Sequence, residues 1–239
     1  MLIKTKAIVL SKVKYRDNDL IVRCFTVHRG VVSYLLRGVM TSKKGNSKVA
    51  YFQLLSQLQI EENYRENQSL QSIKNVRLDY NYTSLHTNVF KSSIVMFLAE
   101  VLASVLREEE KNLQLYNYIE TTFRWLDVKE EFSNFHLLFL LNLTKHLGFY
   151  PDTSEINQMY FNLNNGLFEP KKENVYSVSG NNLTVLKQLL GINFDELDNI
   201  KLNSNQRQSF LTMLLLYFEL HLGSFKKPKS LQIFNQVFK

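Results

Sequence analysis

Residues 4–37 read KTKAIVLSKVKYRDNDLIVRCFTVHRGVVSYLLR. Runs rich in β-branched and aromatic residues alternate with two short polar breaks, which predicts three antiparallel strands. The first covers residues 4–13, and KYRDN at 14–18 is a turn. Residues 19–27 alternate, with Leu20, Val22 and Cys24 on one face and Ile21, Arg23 and Phe25 on the other. That is the period of a half-buried strand. His28, Arg29 and Gly30 make the second turn, where Gly30 is free to take positive φ. Residues 30–37 form the third strand, and breaks this short join hairpin neighbours.

Outward from this core, residues 38–48 (GVMTSKKGNSK) are a basic loop with two glycines. Residues 52–62 fit either a strand, through Leu54, Leu58 and Ile60, or a helix, through Leu54, Leu55 and Leu58. Residues 68–80 read as a strand, and five short strands in about eighty residues predict a small closed barrel. After Tyr82 the apolar period changes from two to 3.6. Thr83 or Ser84 can cap a helix to about Arg107, with Val89, Phe90, Ile94, Phe97 and Leu98 in its apolar stripe. A second helix spans 113–126. A third spans 132–147, apolar all round and therefore central, ended by Gly148. Asn164, Asn165 and Gly166 predict a tight hairpin. A short helix at 183–190 follows, then a long one capped by Asn203 or Ser204 and a basic, Phe-containing tail. The fold class expected is α+β in two domains: a five-stranded barrel over 1–82 and a helical domain over 83–239.

The charge is uneven. The first fifty residues hold eleven basic side chains and two acids, a net +9, whereas the whole chain is +7. A cationic field confined to one module suits a polyanion, because each neutralised phosphate releases counterions. The candidate phosphate ligands are Lys12, Lys14, Arg16, Arg23, Arg29, Arg37, Lys43, Lys44 and Lys48. Tyr15, Phe25 or Tyr34 could stack on bases; Tyr15 is in a turn and expected to be exposed, whereas Phe25 and Tyr34 sit in strands, where either can be a core residue. A merely solubilising surface is the competing reading; concentration of the charge on a predicted barrel and a Gly-containing loop favours nucleic acid.

Other functions leave no trace. One cysteine, Cys24, excludes an internal disulfide and any Cys-rich zinc finger, and it sits in a strand as a small core residue. The five histidines include no HExxH, and there is no GxSxG, Walker loop or GxGxxG. Glu108, Glu109 and Glu110 diverge around a helix axis and read as a solvated face, and His136 and His146 as semi-buried packing residues. Lys4, Lys6, Lys12 and Lys14 interrupt any leader segment, and no run is long enough to span a bilayer. A soluble, non-catalytic protein without cofactor is expected.

Several stretches resemble the bacterial recombination mediator family RecO. They are TKAIVL at 5–10, YRDNDLIV at 15–22, Thr26 with Gly30, LRGV at 36–39 before the Lys-rich loop, and residues 52–58. Further on come LLFLLNLTKHLGFYP at 137–151 and YFELHLGSFKKPKSL at 217–231. The resemblance runs through the chain in order. It implies an OB-fold followed by a helical domain, and a cytoplasmic, nucleoid-associated protein. Such a protein binds single- and double-stranded DNA, anneals complementary strands and, with RecR, promotes RecA loading onto SSB-coated DNA. It also implies a site for the acidic, Phe-ended SSB tail, for which Phe225, Lys226 and Lys229 are candidates. An adaptor that docks acidic partner tails, with incidental DNA contact, is the alternative.

Some RecO-like proteins carry a four-cysteine zinc site between the central and last helices. Residues 149–180 here contain no cysteine, so no zinc is expected. A chelator should leave the thermal transition in place; a large fall in Tm would contradict the expectation.

Overall fold

The computed structural model describes residues 2–40, 49–106 and 110–238. Two compact units form, one of Met1–Val128 with Pro228–Ser230, the other of Lys129–Lys227 with Leu231–Lys239.

In the first unit, β1 (Leu2–Tyr15), β2 (Asp19–Thr26), β3 (Gly30–Leu36), β4 (Gln57–Asn63) and β5 (Leu70–Leu78) close a barrel in the order β1-β2-β3-β5-β4. Closure comes from a short parallel pairing of β3 with β5; the other pairs are antiparallel. This is the OB-type barrel expected. Alternation delivers Val9, Val22, Cys24, Val32, Leu58 and Ile60 to its interior, where burial pushes the Cys24 thiol up. The ambiguous leucines are resolved by backbone geometry. Leu55 takes φ +59° and its N–H bonds Val9 O at 2.7 Å, so the chain turns there and the strand begins at Gln57. Gly30 has φ +60°, and a Cβ on it would meet Glu110 backbone atoms at 2.6 to 2.9 Å.

Helices α1 (Val89–Val105) and α2 (Leu113–Val128) complete this unit. The N-terminus of α1 corrects the expectation from sequence. Asn88, not Thr83 or Ser84, is the cap, accepting from the N–H of Phe90 and Lys91. Val89 and Phe90 fall outside the buried stripe, 66% and 48% exposed. Thr83 and Ser84 serve Asp127 instead. The Asp127 carboxylate accepts from the N–H of Thr83 (2.9 Å), Ser84 (2.8 Å) and Leu85 (2.7 Å) and from the Thr83 hydroxyl (3.0 Å). Burial opposes its charge, but these donors outweigh burial and hold its pKa below the ordinary carboxylate value. Buried Lys91 donates to Ser84 Oγ and Asp127 O at 2.7 and 2.8 Å.

In the second unit, α3 (Phe135–His146) is buried around nearly its whole circumference. His136 is buried within it, and burial depresses its pKa to about 3. Asn203 caps α5 (Ser204–His221) in a capping box with Gln206, and α4 (Gly180–Leu189) precedes it. The tail ends in α6 (Leu231–Val237). The predicted hairpin is β6 (Tyr160–Asn162) with β7 (Leu167–Glu169), and β8 (Ser177–Val178) adds a third strand to it. Phe161 and Phe168 pack together at 4.9 Å, and Phe161 meets Tyr217 at 5.7 Å. Gly166, at φ +73°, lets the turn approach the Tyr217 hydroxyl. Among the described residues no helix is long and apolar enough to cross a membrane.

Asp127→Ala should destabilise the protein by about 2–4 kcal/mol at neutral pH, because three backbone donors lose their acceptor. The lowered pKa means this stability is present above the ordinary carboxylate range and lost as pH falls through the folded value. Denaturant unfolding at pH 7 and pH 3 should therefore show a large difference from wild type that shrinks in acid. A pH-independent difference would contradict it.

Candidate nucleic-acid interface

Strand β1 is longer than the barrel needs. It pairs with β4 only as far as Ile8 opposite Gln57. After an irregularity between Val9 and Ser11 it continues against β2 alone, out to Tyr15 opposite Asp19. Residues 11–15 therefore form one edge of an arm whose β1 side has no strand partner among the described residues. Lysines on an exposed edge discourage strand pairing between molecules. Lys12 and Lys14, opposite Val22 and Leu20, lie on one face; Val13 and Tyr15 lie on the other. Both lysines are exposed.

Arg16 turns the arm at φ +54°, and its guanidinium lies 5.2 Å from the Tyr15 ring centroid. The tip is tied to the next basic segment: Gly38 N–H donates to Asp19 Oδ1 at 2.8 Å, and Met40 N–H to Asn18 O at 3.2 Å. Arg37, exposed beyond β3, is thereby held on the arm's side of the barrel. It shares a cleft of about 120 Å³ with Lys74 of β5, floored by Leu36, Phe52 and Ile73. Arg23 is half-buried, opposite Ser33 in the sheet. Lys12, Lys14 and Arg16 thus lie on the arm, Arg37 beside the segment tied to its tip, and Lys74 in the cleft with Arg37. Sequence reasoning missed Lys74; its place beside Ile73 in an expected strand was the available signal.

Other candidates are used elsewhere. Arg29 pairs with the fully buried Glu62 carboxylate and covers the Tyr64 ring at 4.2 Å, so its charge is committed to the barrel. Phe25 and Tyr34 are not available for stacking. Phe25 is 1% exposed and packs on Tyr116 at 5.8 Å, and Tyr34 is 0% exposed. Phe25 is covered by α2 on the outside of the barrel, and Tyr34 lies in the barrel core. Tyr15, at 36%, is the one of the three that solvent reaches. Lys43, Lys44 and Lys48 lie outside the described residues.

Phe225 is buried against Phe218 at 5.4 Å, and Lys226 and Lys229 are exposed. Phe225 and Lys226 belong to the second unit and Lys229 to the first. The second unit has a separate pocket of about 480 Å³, with Phe132, Leu197 and Ile200 beside Asn134, Lys201 and Arg207. Asn134 Nδ2 donates to Ile200 O at 2.7 Å, while its buried Oδ1 has no partner among the described residues. Arg207 Nη1 donates to Leu202 O at 2.5 Å, and its buried Nε is likewise unpaired among them. Neither residue carries a motif that sequence reasoning could use. No group of three or more His, Cys, Asp or Glu among the described residues could hold a metal ion.

Residues 1–82 match the family model described as Recombination protein O N terminal, and residues 86–232 match Recombination protein O C terminal. The protein named DNA repair protein RecO from Christiangramia forsetii is 47% identical over 238 residues, covering 100% of both chains. Those of the same name from Flavobacterium psychrophilum and Flavobacterium johnsoniae are each 42% identical over 238 residues, again covering 100% of both. With both halves of the chain matched in order, and a five-stranded barrel leading into helices as the resemblance implied, the chain belongs to the RecO family of DNA repair proteins.

Proposed function

We propose that this chain is a non-catalytic mediator of DNA repair in the cytoplasm, associated with the nucleoid. It binds single- and double-stranded DNA, anneals complementary strands and, with RecR, promotes loading of RecA onto SSB-coated DNA. Residues 1–82 form its nucleic-acid-binding domain, and residues 83–239 form the helical domain. The observation that carries this reading is the gathering of Lys12, Lys14, Arg16, Arg37 and Lys74 around one arm and one end of an OB-type barrel. Cations on a barrel rim track phosphates without reading sequence, and the half-exposed Tyr15 offers one stacking surface.

The acidic-tail partner calls for an apolar pocket rimmed by cations. Buried Phe225 fills its own site rather than opening one. The pocket around Asn134 and Arg207 offers apolar walls, two cations beside the acids Glu131 and Asp198, and two buried polar atoms unpaired among the described residues. We therefore assign the SSB tail there in preference to Phe225, Lys226 and Lys229. Docking of such a tail favours a reading that includes an adaptor role alongside DNA binding.

Two variants separate these roles. Arg16→Glu, Arg37→Glu and Lys74→Glu combined should weaken single-strand binding at least tenfold. The slope of log K against log salt should flatten by about one for each phosphate that is no longer neutralised. Annealing of SSB-coated complementary strands should fall in parallel. Arg207→Ala should instead weaken an acidic, Phe-ended peptide by roughly tenfold and leave naked-DNA affinity unchanged. Undiminished DNA affinity in the triple variant would move the interface off the arm.

A further inference from the structure

A second cationic cleft lies on the other flank of β1, away from the arm. It has a volume of about 460 Å³ and is lined on β1, β4, β5 and the turn after β2. Register builds it. Across β1, β4 and β5 one row runs Lys4, Glu61, Asn75 and the next runs Lys6, Gln59, Arg77. Residues two apart on a strand share a face, roughly 7 Å apart, and adjacent strands lie about 4.8 Å apart. All six side chains therefore project from one outward patch. Exposed His28 borders it.

Its cations are not equivalent. Lys6 is held by Asp79 and Glu120 at 3.1 and 3.0 Å and serves the fold. Lys4 pairs with Glu61 at 3.1 Å, but its side chain is 77% exposed, and such surface pairs exchange partners at little cost. Arg77 differs from both. It is exposed, and its Nε and Nη2 both donate to the neutral Gln59 Oε1, at 2.9 and 2.5 Å. Gln59 is fixed in turn by donating to Asp79 Oδ1 at 2.6 Å. No carboxylate among the described residues pairs with Arg77. A guanidinium held in place by a neutral amide has lost its rotamer freedom in advance and keeps its full charge for a ligand.

We propose that this cleft is a second phosphate site, taking the backbone of a nucleic-acid strand other than the one on the arm. Arg77 is the oriented ligand and Lys4 the mobile one. The inference rests on the reading that the barrel handles nucleic acid, and it adds that one chain holds two strands. Lys4 and Arg77 stand at opposite corners with Glu61 and the Gln59 amide on the strand between them, so a phosphodiester would draw Lys4 off Glu61 and meet Arg77 across the Gln59 amide. Lys6 and His28 border the same path.

The test is titration of the full chain with a short fluorescent oligothymidylate, about 8 nucleotides long so that one oligomer fills one site. Wild type should bind two per chain. Lys4→Gln with Arg77→Gln should bind one per chain, the second site weakened at least tenfold, with an unchanged thermal transition. Arg77→Lys should recover part of that loss, since it restores charge without the fork. The triple arm variant should keep the cleft site. One oligomer per wild-type chain, or two per chain in the cleft variant, would overturn the proposal. So would loss in the cleft variant of acidic-peptide binding rather than oligonucleotide binding. Absence of any binding by wild type at low salt is a different result, and it would remove the parent reading as well.

Discussion

Four charges hold the first unit together. Lys6 of β1 and Arg124 of α2 both contact Asp79, just beyond β5, at 3.1 and 2.9 Å, and both contact Glu120 of α2 at 3.0 and 3.1 Å. Gln57 at the start of β4 is fully buried beneath them. It accepts from Arg124 Nε at 2.7 Å and donates to Glu120 O at 2.8 Å. The Glu120 hydrogen bond leads in raising the Lys6 pKa, while Asp79, despite its burial, is held low by Gln59 and Lys6. Removing one member of such a set leaves a partly buried charge unmatched, which costs more than the pair itself contributes. The barrel is thus fastened to α2 by side chains from β1, β4 and the end of β5. The compact unit accordingly runs to Val128, although the change from strands to helices comes near residue 82.

That fastening divides the cations of the barrel into two populations. Lys6 and Arg29 face carboxylates that are largely buried and are spent on the fold. Lys12, Lys14 and Arg16 lie beyond the part of β1 that pairs with β4 and Arg37 beyond β3, and among the described residues no ion pair ties them to a buried acid. Asp79 has a further effect. Through Gln59 it orients Arg77 on the outer face, so the same carboxylate that anchors the helix also shapes a surface cleft.

Much of this was legible in the sequence because it depends on neighbours in the chain. The inward set of Leu20, Val22 and Cys24, the Gly30 turn, the all-round burial of α3 and the Asn164-Asn165-Gly166 hairpin follow from period and turn chemistry. What escaped depends on partners far apart. Arg29 reads as a phosphate ligand until Glu62, thirty-three residues on, takes its charge. Thr83 and Ser84 read as caps until Asp127, more than forty residues on, accepts their N–H groups. Phe25 looks outward by alternation but meets Tyr116 of α2. At the interface, charge density marked the right segment, but only the register showed that Lys12 and Lys14 leave the barrel on an arm, and only the closed sheet brought Lys74 to Arg37.

The most direct check is hydrogen–deuterium exchange of the full chain with and without saturating single-stranded DNA. Slowed exchange is expected at residues 12–19 and 37–40, the arm and the segment tied to its tip. Exchange unchanged there, with protection confined to the helices of the second unit, would contradict it.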